Sequence, residues 1–220
     1  MINQSKDISW EEFNSAKEAR LINLTQPGGR DKDFFYELIH ETRDKQSVEI
    51  IESYCGVIES YEYDHGHLTK EQYLDHPYRV ASLLLEQFPD IHDDYIKLAL
   101  CHNIAEVSDI TGIMKQELGI HIIGYVKKLT VNRDMQWDLE YKKSFYREIG
   151  KERITRLVKI YDKLDNMFVL SENPDKEIKI KYLEEITKNL LPFVIKDVHE
   201  LQQTFETIIK FNYELIKKNS

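Results

Sequence analysis

An all-α bundle is the fold class this sequence predicts, and three observations predict it. Apolar residues recur three and four positions apart along nearly the whole chain. No alternating strand pattern persists. Capping patterns and helix breakers punctuate the apolar stretches. The chain has 220 residues, 41% of them hydrophobic, and a net charge of −9. That length and apolar content suit one domain with a real core. The acidic balance argues against broad nucleic-acid binding, although a local basic patch can still take a small anion. No apolar run reaches the roughly 18 residues of a membrane span. The start, MINQSKDISWEEF, has neither the basic opening nor the apolar segment of a secretory signal. No membrane association is therefore expected, and a reduced cytoplasmic setting is. Cys55 and Cys101 have no metal-type spacing, and Cys101 reads as a small buried hydrophobe.

The elements follow in order. Ser9 and Glu12 form a capping box that opens a first helix toward Leu24. Pro27, Gly28 and Gly29 break it. A second helix is expected from Asp31 to Arg43 and a third from Gln46 to Glu62. Asp64 to His67 reads as a loop. Thr69 and Gln72 repeat the capping-box pattern and start a short turn. A helix then begins at His76, with Pro77 in its first turn, where a missing N–H costs nothing, and ends before Pro89. Asp93 to Val107 reads as one helix. Further helices are expected at Thr111 to Leu118, Ile120 to Leu129, Met135 to Ile149 and Glu152 to Leu170, although Ile120 to Ile123 is short enough to be ambiguous. Asn173 and Pro174 introduce the next helix, and Pro192 should kink or divide the last long segment.

Three of these segments carry polar groups on apolar faces. In LALCHNIAEV, residues 98–107, His102 and Asn103 interrupt an apolar run, and Glu106 follows one turn after the histidine. Residues four apart share a helix face, so a continuous helix would project His102 and Glu106 the same way. In LVKIYDKLDNMFVL, residues 157–170, Asp162 sits among apolar neighbours. An ionised carboxylate there costs several kcal/mol unless it is paired or bound to a metal. A salt bridge to Arg153, Arg156 or Lys159 would satisfy it as well as a cation would. In YLDHPYRVASLLL, residues 73–85, His76 heads three apolar turns. Any one of these groups alone is more often structural than functional. Together, imidazoles with carboxylate or amide oxygens suit a divalent ion of the Mn, Fe or Zn type.

In chain order these stretches resemble the HD-domain metal-dependent phosphohydrolases. Within them the chain looks most like the SpoT/Rel-type (p)ppGpp hydrolase domains and their small stand-alone relatives. HPYRVASLLLE resembles that family's H-P-x-x-V-A helix and ALCHNIAEV its A-L-L-H-D-x-x-E-D segment. VKKLT resembles V-x-x-V-T-K, and VKIYDKLDNM resembles V-K-L-A-D-R-L-x-N-M. The similarity spans residues 45–200. It implies an HD-domain helical bundle at 45–220 behind an N-terminal helical extension at 1–44. It implies a divalent cation, Mn2+ in the first place, held by His76, His102, Asn103 and Asp162. Glu106 would be the catalytic residue, and Asn166, Tyr73 and Arg79 would contact substrate. The implied partner is a small-molecule nucleotide losing pyrophosphate, with self-association into a homo-oligomer left open. Lys127, Lys128, Arg133, Lys142 and Lys143 supply local positive charge, while Tyr141, Phe145 and Tyr146 lie at core spacing.

The departures point the other way. The family's His-Asp pair is His102-Asn103 here, and a neutral amide should bind metal more weakly. Its Glu-Asp pair is Glu106-Val107, and its basic loop pair is His67-Leu68. A catalytically degenerate module that binds a nucleotide or a protein is therefore the alternative reading.

Overall fold

The computed structural model describes residues 7–25, 29–63, 68–108 and 117–218. Among them there is no strand. The chain runs through α1 (Trp10–Thr25), α2 (Arg30–Thr42), α3 (Lys45–Ser60), α4 (Lys70–Gln87) and α5 (Asp93–Cys101). It continues through α6 (Ile120–Leu129), α7 (Leu139–Ile149), α8 (Arg153–Val169), α9 (Lys176–Glu185), α10 (Leu191–Asp197) and α11 (Gln202–Lys218). Ile120 to Ile123 is thus helical. The expected loop at Asp64 to His67, most of the expected helix at Thr111 to Leu118, and Pro27-Gly28 lie outside the described residues. Gly29 follows that break in the left-handed region, at φ 71°, a conformation that costs glycine no Cβ clash.

Local chemistry sets the helix starts. Ser9 N–H donates to Glu12 Oε2 at 2.8 Å, and Glu12 N–H donates to Ser9 Oγ at 3.1 Å, closing the first capping box. Thr69 and Gln72 close the second, at 2.8 and 3.3 Å. This second box corrects the expected boundary. It opens α4 itself, six residues before His76, so Pro77 lies inside the helix. The reciprocal bonds satisfy the first N–H groups, and the helix then passes through proline at the loss of one internal bond. At the other end of the chain, Ile186–Leu190 forms a π turn directly before Pro192. The Leu191 N–H reaches back to the Ile186 carbonyl, five residues earlier. The division expected at Pro192 takes the form of this wider turn.

Two helices hold the centre. α4 packs against α2, α5 and α8, while α8 also touches α1, α6, α7, α10 and α11. From Ile154 to Asp165 every residue of α8 is buried, so the helix has no solvent face. Leu157, Ile160, Tyr161, Leu164 and Phe168 join the main core, each buried apolar side chain contributing about 1.5–3 kcal/mol. α1 closes that core from outside. Phe13 stacks on Phe168 at 5.6 Å, and Trp10 meets Phe211 of α11 edge-on at 4.7 Å. Because α8 is surrounded, its charged residues must find partners within the protein. Arg156 pairs with Asp197 at the end of α10, Nη2 to Oδ1 at 3.1 Å. Cys55 and Cys101 are both buried and unpaired as thiols.

Candidate metal centre

α5 does not continue through Glu106 as expected. It ends at Cys101, and Ile104–Glu106 forms a separate 3-10 turn. At this boundary the His102 ring folds back, its Nδ1 2.7 Å from the Ala99 carbonyl oxygen. Asn103 follows at φ −102°, ψ 0°, in the sparsely populated bridge region. His102 and Glu106 therefore do not share one helix face, and a turn carries each separately.

The ring geometry has a further consequence. A carbonyl only accepts, so His102 donates from Nδ1, and in a singly protonated ring Nε2 is then a lone pair. His76, on α4, repeats the arrangement. Its Nδ1 lies 2.8 Å from Asp165 Oδ2 and its Nε2 points the opposite way. Both Nε2 atoms are buried without a hydrogen-bond partner. Both approach the same carboxylate oxygen, Asp162 Oδ1, at 3.3 Å from His76 and 3.7 Å from His102. The two rings sit edge to face, 5.2 Å between centroids. One ligand atom from each of the three residues lies within 4.8 Å of the others.

With each ring's proton on Nδ1, two imidazole lone pairs and a carboxylate oxygen face one another, an arrangement that a cation among them would complete. Two imidazole nitrogens and a carboxylate oxygen are a donor set for a divalent transition ion, with each ring's other nitrogen tied down as such ligands usually are. The residues present thus fit a metal. The salt bridge considered for Asp162 exists as well: Lys159 Nζ lies 2.9 Å from its other oxygen, Oδ2. One oxygen is matched by the lysine and the other faces the histidines. Burial alone would raise the Asp162 pKa, but the Lys159 charge and then His102 and His76 hold it well below the carboxylate range. Burial also works against charge on His76, and Asp162 and Asp165 outweigh it, raising its pKa.

A cleft of about 460 Å3 opens beside this centre and is lined by Asn103, Glu106, Asp162 and Asn166. Glu106 Oε1 accepts from the Val131 N–H at 3.4 Å, and Oε2 is ion-paired with Arg133, whose side chain is mostly exposed. Asn166 Nδ2 donates to Asp162 Oδ1 at 2.7 Å. Asn103 presents its backbone carbonyl to the Tyr73 hydroxyl at 3.1 Å. Tyr73 is buried against Tyr63, 5.2 Å between rings. Arg79 points away from the cleft, into ion pairs with Asp165 at 3.1 Å and Asp31 at 2.7 Å. The basic residues divide too. Arg133 and Lys142 line the cleft, whereas Lys128 pairs with Glu152 and Lys143 with Glu140.

Several cleft residues lie outside the motif stretches. Trp137, Tyr182 and Glu185 line it, with Tyr141, Phe145 and Tyr146 of α7, while Lys159 and Lys163 join them from the 157–170 stretch. The helical spacing of those three aromatics marks a shared face, which reads as core until the facing wall is known. Lys142 Nζ lies 4.3 Å over the Trp137 ring and 2.8 Å from Glu185 Oε2. Burial would raise the Glu185 pKa, but Lys163, then Lys142 and the Tyr146 hydroxyl, hold it at about 2.

No protein-family model matches the chain, and no curated protein does. Among solved structures it is similar to a metazoan ortholog of SpoT that hydrolyzes ppGpp and plays a role in starvation responses. The two are 19% identical, the match covers 76% of this chain and 96% of that one, and the TM-score is 0.56. The chain therefore shares the all-helical fold of that SpoT ortholog, and its fold is what brings His76, His102 and Asp162 together.

Proposed function

We propose that the chain is a metal-dependent phosphohydrolase acting on an anionic nucleotide, with release of pyrophosphate from a (p)ppGpp-like substrate as the leading reaction. The observation that carries this reading is the convergence of two partnerless imidazole nitrogens on one carboxylate oxygen at the edge of a cleft. His76, His102 and Asp162 would hold the cation, Mn2+ in the first place, with Asn103 at the cleft edge as a neutral fourth donor. A cation bound there would supply Lewis acidity toward a phosphoryl oxygen and acidify a water. Lys159 and Asn166 keep the Asp162 carboxylate oriented from both oxygens. Glu106 can take or direct a proton once Arg133 releases it, and an incoming phosphate competes for that same guanidinium. Lys142 and Lys163 attract a polyanion, and Trp137 and Tyr182 offer faces on which a base can stack.

A binding module is the second reading. It is favoured by Asn103, which removes one anionic ligand, and by the ion pair that occupies Glu106. Pyrophosphate and phosphate release from a nucleotide panel with Mn2+ separates the two, for this chain and for Asn103→Asp. The hydrolase reading expects turnover by the chain as it stands, and a higher metal affinity with Asp at 103. Turnover by the Asp form alone assigns a disabled enzyme. No turnover by either, with a nucleotide still raising the melting temperature, assigns the binding module.

A further inference from the structure

We propose that Asp165, clamped between Arg20 and Arg79, is a positioning residue for His76, so that the N-terminal helix α1 is a working part of the metal centre. This rests on the reading of the centre as a metal site. Asp165 follows Asp162 by one turn of α8 and is 1% exposed. It stands behind the His76 ring while Asp162 stands in front. One carboxylate faces Nδ1 at 2.8 Å and the other faces Nε2 at 3.3 Å. An ionised carboxylate only accepts, so Asp165 places the ring proton on Nδ1 and leaves Nε2 free to ligate.

What keeps Asp165 in that pose comes from outside α8. Arg20, on α1, donates to Oδ1 from Nε at 2.8 Å and pairs with the same oxygen from Nη2 at 2.8 Å. Its Nη1 is anchored on the Ala16 carbonyl at 2.8 Å, and its guanidinium lies 4.3 Å over the Phe168 ring. Arg79, one turn after His76 on α4, reaches both oxygens from Nε at 3.1 Å. Its Nη1 binds Asp31 of α2 at 2.7 Å, and Asp31 in turn accepts from Asn23 Nδ2 at 2.7 Å. Two guanidiniums and two carboxylates thus form a neutral, partly buried box with His76 as its fifth member. Rotating Asp165 would break several charge-assisted bonds at once. Losing Arg20 would leave the carboxylate free to turn toward Arg79 alone and release the imidazole.

The test is a calorimetric titration of the full metal-free chain with Mn2+, with the metal-free melting temperature measured on each variant. Arg20→Met keeps the packing on Phe168, and Arg20→Lys keeps the charge without the fork. Asp165→Asn acts on the carboxylate directly. Lys17→Ala is the control. It frees α1 from Ser171 and Glu172, at 2.7 and 2.5 Å, without touching the box. Arg20→Met and Asp165→Asn are expected to weaken Mn2+ binding by roughly 10- to 100-fold. Arg20→Lys should recover part of that, and Lys17→Ala should lower the melting temperature at unchanged affinity. Arg20→Met binding Mn2+ as tightly as the unaltered chain overturns the proposal while leaving the metal site standing. Lys17→Ala losing as much affinity as Arg20→Met also overturns it, because docking of α1 alone would then be enough. An unaltered chain that binds no Mn2+ removes the parent reading, and this one with it.

Discussion

The two faces of the His76 ring look into two differently built halves of the same interior. Behind Nδ1, every charge has a partner: Asp165, Arg20, Arg79 and Asp31 neutralise one another through bonds of 2.7–3.1 Å. In front of Nε2, two imidazole nitrogens and Asp162 Oδ1 converge on one place. His102 Nε2 is as partnerless as His76 Nε2, although each buried unsatisfied group costs about 1–3 kcal/mol. Native interiors tolerate few such groups. The contrast teaches that the rear half closes on itself through its own charges, whereas the front half leaves room for the cation proposed above. Both halves hang on one helix, since Asp162 and Asp165 are a single turn apart on α8.

The comparison breaks most visibly at Asp165. Asp165→Ala takes the carboxylate away from the buried Arg20 guanidinium and leaves Arg79 with Asp31 alone, and should cost about 3–5 kcal/mol in urea unfolding. A loss below about 1 kcal/mol would make the two halves equivalent. The next effect belongs to the far wall of the cleft, where Glu185 is held at about 2 against roughly 4.3 when unfolded. Its folded pKa is depressed, so its contribution is present above the unfolded value and is lost as pH falls toward about 2. At neutral pH that contribution is about 3 kcal/mol. Melting curves between pH 6 and pH 2 should show Glu185→Gln trailing the unaltered chain at pH 6 and meeting it at the acid end.

Filling the front half comes third. Mn2+ at a hundredfold excess over its Kd should add about 2.7 kcal/mol of stability. His102→Ala should abolish that increment, and an undiminished one would detach His102 from the cation. The smallest effect comes from Asp75 on α4, a buried carboxylate with no clamp. Its Oδ2 has no partner, and burial, followed by the Asp31 charge, raises its pKa to about 6. Here the sign reverses: the folded pKa lies above the unfolded one, so stability falls as pH climbs from about 4 to 6. Asp75→Asn should therefore gain about 1 kcal/mol at pH 7 after discounting for solvent, and nothing below about pH 4. A loss at pH 7 would show that Asp75 has a partner after all.

Much of the fold was legible along the chain because helix signals are local. The Ser9 box, the break ending at Gly29 and the turn before Pro192 each act within four or five residues of themselves. The boundaries that moved did so for equally local but competing reasons. The Thr69 box outweighed Pro77 as a starting signal, and α5 ended at Cys101, where the His102 ring bonds back to the Ala99 carbonyl. The candidate centre was legible as residue types, since His76, His102 and Asp162 are polar groups set in apolar runs. Lys159 was foreseen as one of three cations able to pair with Asp162, and the fold selected it. Asp165 carried no such signal, because an acid at its position fits a solvated face as well as a buried one.

The sequence by itself determined that this chain is helical, where most of its helices begin, and which polar side chains interrupt apolar faces. Periodicity, caps and breakers are short-range, and a single strand of text contains them. Tertiary packing alone sets two imidazoles, one on α4 and one in the turn after α5, beside one oxygen of Asp162. It alone decided that Arg79 turns its back on the cleft, and that Arg20 of the first helix reaches Asp165 across 145 positions of chain. Those pairings depend on how helices cross, and crossing is set by the packing of whole faces rather than by any residue's neighbours in sequence.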